Sequence, residues 1–241
     1  NVQTNVAVPA MPVPDNIRQA TVPPVRADAQ KVAEGVWFIG GGSHNSVAVE
    51  FSDHIAMIEA PLNEERSLAV MDAVAKLAPN KLIRYIINTH HHFDHSSGLR
   101  TYIAQGSTLV THRDNADFYE HVLLSPAPRT LMPDRLAMFY PNFTASRRPV
   151  PIERVNQKYV LSDGVRTLEL HPVQGSTHIG PMLIALAEHL AAASCVLPYN
   201  GKTCDWPQLR TRYVMNRLPV PVLPPHVEKG KASPLGFAVQ R

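Results

Sequence analysis

The stretch Leu82-Ile83-Arg84-Tyr85-Ile86-Ile87-Asn88-Thr89-His90-His91-His92-Phe93-Asp94-His95-Ser96-Ser97-Gly98-Leu99 decides how the chain is read. Leu82 to Ile87 is a short apolar, β-branched run, the pattern of a strand buried on both faces. Leu99-Arg100-Thr101-Tyr102-Ile103 reads as a helix opening, with Ser96 or Ser97 as its N-cap. Between them lie four of the 12 histidines, with one aspartate among them. They occupy a loop at the carboxyl end of a strand, where open α/β sheets place their sites. His90, His92 and Asp94 are two apart, so locally extended backbone projects them to one side. His95 turns the other way. Such a loop offers more donors than one tetrahedral zinc takes from a single segment. Two adjacent metals sharing it, with ligands completed from elsewhere, is the chemical reading; a chance histidine cluster on an exposed polar loop is the plainer one.

His90-x-His92-x-Asp94-His95, preceded by Thr89 and followed by Gly98, resembles the signature of the metallo-β-lactamase-fold hydrolases. The resemblance covers about residues 33 to 183. It implies an αββα sandwich, two mixed β-sheets face to face with helices on the outer faces; periodicity alone gives only α/β or α+β. It also implies that His90 and His92 hold one zinc while Asp94 and His95 hold a second, Asp94 being the catalytic carboxylate as well. His178, in Gly175-Ser176-Thr177-His178-Ile179-Gly180, is similar to the family's next motif, a loop histidine that completes the first zinc site.

Beyond residue 187 the likeness weakens. Family members carry a strand ending in Gly-Asp or Ala-Asp, whose carboxylate often bridges the metals. Here the same register reaches Ala193-Ser194-Cys195-Val196. Two readings of Cys195 stand, a thiolate ligand of the second metal and a small buried hydrophobe. His226, after Val222-Leu223-Pro224-Pro225, is the candidate for the family's last histidine and is assigned to the second metal, with Asp205 as fallback carboxylate. Both cysteines and seven prolines lie in this divergent tail.

Composition narrows the classes. A chain of 241 residues, 44% hydrophobic and 18% charged, is a globular protein with room for one sandwich domain. The net charge of +3 and the absence of any basic run longer than Arg147-Arg148 argue against a nucleic-acid footprint. No apolar stretch approaches a membrane span. Cys195 and Cys204 are too few for a disulfide framework. The chain opens at Asn1 rather than Met, and the expectation is a processed, periplasmic or secreted protein.

Along the chain, residues 1 to 30 read as an extended Pro-rich arm and 31 to 241 as one domain. Val36–Ile39, Asn45–Phe51, Ile55–Ile58, Thr108–Thr111 and Met182–Leu186 read as strands. Gly40-Gly41-Gly42-Ser43 reads as a hairpin turn, since no Lys-Ser/Thr follows to make a phosphate loop. Asn63 to Leu77 reads as an amphipathic helix. Tyr159–Leu161 and Val165–Leu170 form a hairpin about Asp163-Gly164. His44 and His54 read as turn residues, His44 with a place near a pocket mouth. His112 reads as structural or as a support behind the site, and His171, at the opening of the second histidine loop, as structural. The apolar, Pro-broken segment 115 to 150 is either a wall over the site or ordinary core.

The resemblance implies a zinc-dependent hydrolase with two Zn²⁺ ions, acting on a small molecule and most simply on a β-lactam ring. No Gly-x-Ser-x-Gly elbow offers a protein nucleophile. A glyoxalase-II-like thioester or ester hydrolase is the alternative enzyme, and an inactive metal-binding scaffold the alternative that is not one.

Overall fold

In a computed structural model, residues 12–124, 133–138, 150–173, 182–187 and 195–196 are described. Seven strands form the first sheet: β1 (Asp28–Ala33), β2 (Val36–Gly40), β3 (Ser46–Glu50), β4 (His54–Ile58), β5 (Leu82–Asn88), β6 (Thr108–His112) and β7 (Ile152–Val155), in that order. β1 to β4 run antiparallel, and β4 to β7 are parallel. The second sheet is antiparallel: β11 (Cys195–Val196), β10 (Met182–Ala187), β9 (Thr167–Val173) and β8 (Tyr159–Ser162).

Side-chain alternation turns this order into layers. Ile55, Met57, Ile86 and Leu109 point to one face of the first sheet, where they pack with Val70, Met71, Val74, Leu99, Tyr102 and Ile103 of the helices. Their neighbours Ala56, Ile58, Ile87 and Val110 point to the other face and meet Leu161, Leu168, Leu170 and Leu183 of the second sheet. Each such fully buried side chain contributes roughly 1.5–3 kcal/mol, so both faces of the central sheet are anchored. A helix layer, the seven-stranded sheet and the second sheet thus stack in the expected order; the fourth, outermost helix layer lies outside the described residues.

The helix layer is built from α2 (Glu64–Leu77) and α4 (Leu99–Ala104). Asn63 caps α2, its side chain accepting from the Arg66 amide at 2.9 Å. The expected α4 cap differs. Gly98 occupies the position before Leu99, and Ser96 instead donates to the carbonyls of His91 and His92, closing the short helix α3 (Phe93–Ser96). A side chain at position 98 would force its neighbours to shift, since a Cβ would lie 2.1 Å from Ser67 Oγ and 3.0 Å from the Ala60 carbonyl.

β5 also departs from a strand covered on both faces throughout. Ile86, Ile87 and Asn88 are buried, but Leu82 and Arg84 are exposed. The pairing with β4 steps from Ile55↔Ile83 to Ala56↔Tyr85, so Arg84 is an extra, bulged residue. It leaves the ladder and meets Asp53 at 2.7 Å.

The sheet starts at Asp28, ahead of Lys31, and α1 (Asp15–Arg18) before it buries no residue. Of the 115–150 segment, the described part is divided: Tyr119, Leu124 and Leu136 enter the core, while Phe118, Val122 and Met138 are exposed. α5 (Arg113–Phe118) leads into a π-helical turn, Tyr119–Leu123, and Tyr119, Leu124 and Leu136 are buried against the helix-side cluster. Among the described residues no helix is long and apolar enough to cross a membrane.

Candidate metal centre

The site forms where β5 ends. Two parallel neighbours, β4 and β6, hold β5 in place, so Asn88 emerges at the carboxyl edge of three strands. Thr89 to His92 continue beyond the sheet, and His92 (φ −60°, ψ 143°) is the last extended residue before α3. Asp94 and His95 are therefore helical. That corrects the expected extended spacing of His90, His92 and Asp94: the side chains converge because the backbone turns at Phe93.

His90 and His92 stand edge to face, ring centroids 4.8 Å apart, and His90 lies 4.0 Å from His95. His91 points elsewhere, its Nδ1 2.9 Å from Asn115 Oδ1 and its ring beside Phe118. His91 thus stands apart from the other three, and His95, which the spacing turns the other way, instead lies against His90.

Each buried imidazole is held from behind. His90 Nδ1 hydrogen-bonds Thr89 Oγ1 at 2.9 Å. His95 Nδ1 lies 3.2 Å from Glu59 Oε2, and both side chains are buried. A carboxylate accepts, so His95 carries its proton on Nδ1 and turns the Nε2 lone pair toward Asp94, whose Oδ2 is 3.8 Å away. Glu59 also accepts from the Thr89 amide at 2.8 Å and from Asn88 Nδ2 at 3.1 Å. One buried carboxylate thus ties β4 to the start of the metal loop and aims one of its imidazoles. Glu59 has φ +67°, a strained conformation for a residue with a side chain; such strain costs about 1–3 kcal/mol and gathers at functional sites.

Asn88 bridges further, donating to the His95 carbonyl at 3.0 Å and accepting from the Tyr119 hydroxyl. Burial, and then the nearby Glu59 charge, push the Tyr119 hydroxyl well above its ordinary pKa, so it remains a donor.

Sequence reasoning missed two residues here. His44, on the β2–β3 loop, places Nε2 2.8 Å from Asp94 Oδ2, and its ring stands edge to face with His95 at 5.4 Å. The donor atoms of His44, Asp94 and His95 all lie within 4.8 Å of one another. Glu59 is the other. It ends an apolar strand at the same sheet edge as the histidine loop, and that position was its only signal in the sequence.

His54, read as a turn residue, is the first residue of β4. It is buried, stacked on Phe51 at 4.7 Å, with Nδ1 2.6 Å from Asp53 Oδ1. His112 caps α5, accepting from the Asp114 amide at 3.2 Å. His171 lies in β9 with Nε2 2.9 Å from Glu169. Both make local contacts within their own segments. Of the ligands expected from further along, His178, His226 and the fallback Asp205 lie outside the described residues, and Cys195 is the first residue of β11. The strands that flank His178 do reach the site's edge. Val173 pairs with Met182, and the Leu183 amide donates to the Thr89 carbonyl at 3.0 Å.

These donors fit a divalent transition metal. Imidazoles and a carboxylate are zinc's nitrogen and oxygen ligands, and the backing hydrogen bonds on Nδ1 are those that metal-binding histidines make.

Comparison with solved structures agrees on the architecture. A subclass B3 metallo-beta-lactamase from a soil metagenome library superposes with a TM-score of 0.50 at 15% identity, over 68% of this chain and 58% of that one. A subclass B3 enzyme of Bradyrhizobium japonicum gives 0.49 at 16%, over 68% and 57%. A metallo-beta-lactamase of Cronobacter sakazakii gives 0.49 at 17%, over 68% and 58%. The matched region thus spans less than two thirds of each of those proteins, and at these identities the likeness is one of fold. No curated protein sequence matches the chain. The family comparison is broader than the described site: the profile of the metallo-beta-lactamase superfamily matches residues 39–227, from β2 through the histidine loop into the tail. With the fold and the histidine loop in agreement, that match places the chain in the metallo-beta-lactamase superfamily, a group made up mostly of metal-dependent hydrolases.

Proposed function

We propose that the protein is a zinc-dependent hydrolase of small molecules, with a β-lactam as its first substrate class. The observation that carries this is the convergence of His90, His92, Asp94 and His95 on one sheet edge, with Glu59 and Thr89 orienting two of the imidazoles. On this reading His90 and His92, with His178, hold one ion, and Asp94 and His95 take part in holding a second, to which the tail would add His226 or Cys195. Zinc bound by such residues lowers the pKa of water to about 7 and polarises a carbonyl.

The chain's own residues supply the rest. Glu59 accepts from Nδ1 of His95, which leaves Nε2 as the nitrogen that faces the site. Thr89 fixes the ring of His90. Asp94, partly exposed beside His44, is the carboxylate positioned to take a proton from water and return it to the leaving group. An exported location and action without a nucleic-acid or membrane partner belong to the same proposal.

The test is zinc per chain measured beside hydrolysis of a chromogenic cephalosporin. Two zincs with chelator-sensitive turnover is the expected result. Two zincs with turnover of a thioester and none of the cephalosporin would move the substrate to the glyoxalase-like class. A zinc-free chain, inert to both, would sink the hydrolase reading.

A further inference from the structure

We propose that His44 is itself a ligand of the second metal, completing with Asp94 and His95 a set of two imidazoles and one carboxylate; this rests on the metal-dependent reading above. Nothing in the histidine loop's sequence points to it, because His44 arrives from a hairpin 46 residues before His90.

The geometry has three parts. His44 Nδ1 lies 3.0 Å from Ser43 Oγ, which turns Nε2 inward to Asp94 Oδ2 at 2.8 Å. The three donor atoms lie within 4.8 Å of one another, and each comes from a partly or fully buried residue. The loop that presents His44 is held by the rest of the fold. Arg66, buried on α2, donates to the carbonyls of Ile39 and Gly40, both at 2.9 Å, and to that of Arg26. Gly41 has φ +106°, and a Cβ there would lie 2.7 Å from the Arg26 carbonyl oxygen. A buried guanidinium is a large desolvation cost to place under a turn. Its hydrogen bonds go to the last two residues of β2 and to Arg26, and their effect is to fix the strand end from which the loop carries His44 to Asp94. Arg66 is thus a positioning residue for the ligand.

The chemical consequence is that all three donors of this set come from residues 44 to 95. Two imidazoles and a carboxylate leave coordination positions open for water or substrate, as catalytic zinc sites do. The second metal then has a three-ligand set before the tail contributes anything.

The experiment uses the full chain, stripped with chelator and reloaded with Zn²⁺ for metal-per-chain analysis, and separately titrated with Co²⁺ by visible absorption. The wild type is expected to take up two ions. His44→Ala is expected to take up one, with the weaker Co²⁺ site losing at least about tenfold in affinity, the loss that even an outer supporting residue causes. His44→Gln keeps a hydrogen-bonding group opposite Asp94 with a poor metal donor, and is expected to lose the same ion with an unchanged circular dichroism spectrum. Both variants loading two ions at wild-type affinity would overturn the proposal and leave His44 as an ion-pair partner of Asp94. A wild type that loads only one ion would overturn it too, while a wild type that loads none would overturn the metal-dependent reading along with it.

Discussion

Two buried histidines, each bonded to a carboxylate, sit at opposite ends of the seven-stranded sheet. His95, beyond the carboxyl end of β5, sets Nδ1 against Glu59 and Nε2 toward Asp94, with His44 and His90 close by. His54, at the amino end of β4, sets Nδ1 against Asp53, which Arg84 also engages. Its ring stacks on Phe51, and its buried Nε2 has no hydrogen-bond partner among the described residues. The local chemistry is the same His–carboxylate pair. What separates a candidate ligand from a core ring is the other nitrogen: one is aimed at further donors, the other at packing.

Substitution should separate the two ends. The largest effect is expected for Glu59→Gln, since an amide no longer holds His95 in one tautomer; metal affinity should fall on the order of 10–100-fold, read by competition with a chromogenic chelator. Undiminished affinity would remove Glu59 from the account of the site. Next comes Gly98→Ala, where a methyl group would collide with Ser67 Oγ and the Ala60 carbonyl. Overpacking of this kind costs about 1–3 kcal/mol, visible as a lower urea midpoint at an unchanged m-value. Because Gly98 joins α3 and α4 behind the site, metal retention should weaken along with stability.

At the far end, His54→Phe should leave zinc content and turnover untouched. It keeps the stack on Phe51 but gives up the hydrogen bond to Asp53 and adds ring volume, so stability should fall by about 1–3 kcal/mol, as in overpacked cores. Any loss of zinc in this variant would break the contrast between the two ends.

The smallest effect concerns the hairpin turn of the second sheet. Backbone amides of Arg166, Ser52 and Val165 donate to Asp163 and hold its carboxyl well below the usual carboxylate range. A pKa lowered in the folded state means stability that is present above the unfolded value, near 4, and lost as pH falls through the folded one. Asp163→Asn should therefore lower the melting temperature slightly at pH 7, and the difference from wild type should shrink below about pH 4. A difference that stays constant across that range would show that the carboxylate's charge is not what the turn uses.

Much of this was legible in the sequence, for identifiable reasons. The strands at Val36, Ser46, Thr108 and Met182 and the helix after Asn63 follow from local periodicity and capping, which depend on near neighbours. The candidate donor cluster was legible because His90, His92, Asp94 and His95 are close in sequence and follow one strand. The cap of α4 was misplaced because serines that cap one helix can also close the turn before it, and only Gly98 fits under Ser67 and Ala60. The bulge at Arg84 was hidden because an apolar run shows which residues can be buried, and says nothing of register against a partner strand.

By itself, then, the sequence determined the layered α/β class, the sheet-edge loop and four of the donors, since each is a property of a short contiguous segment. The tertiary structure alone decided that His44 meets Asp94 and His95 while His54, also read as a turn residue, becomes core. It also decided that Glu59 orients His95 and that Arg66 sets the hairpin of His44. Those assignments depend on which strand ends meet across the sheet, and chain segments dozens of residues apart acquire that relation only when β2, β4 and β5 pair and α2 packs over them.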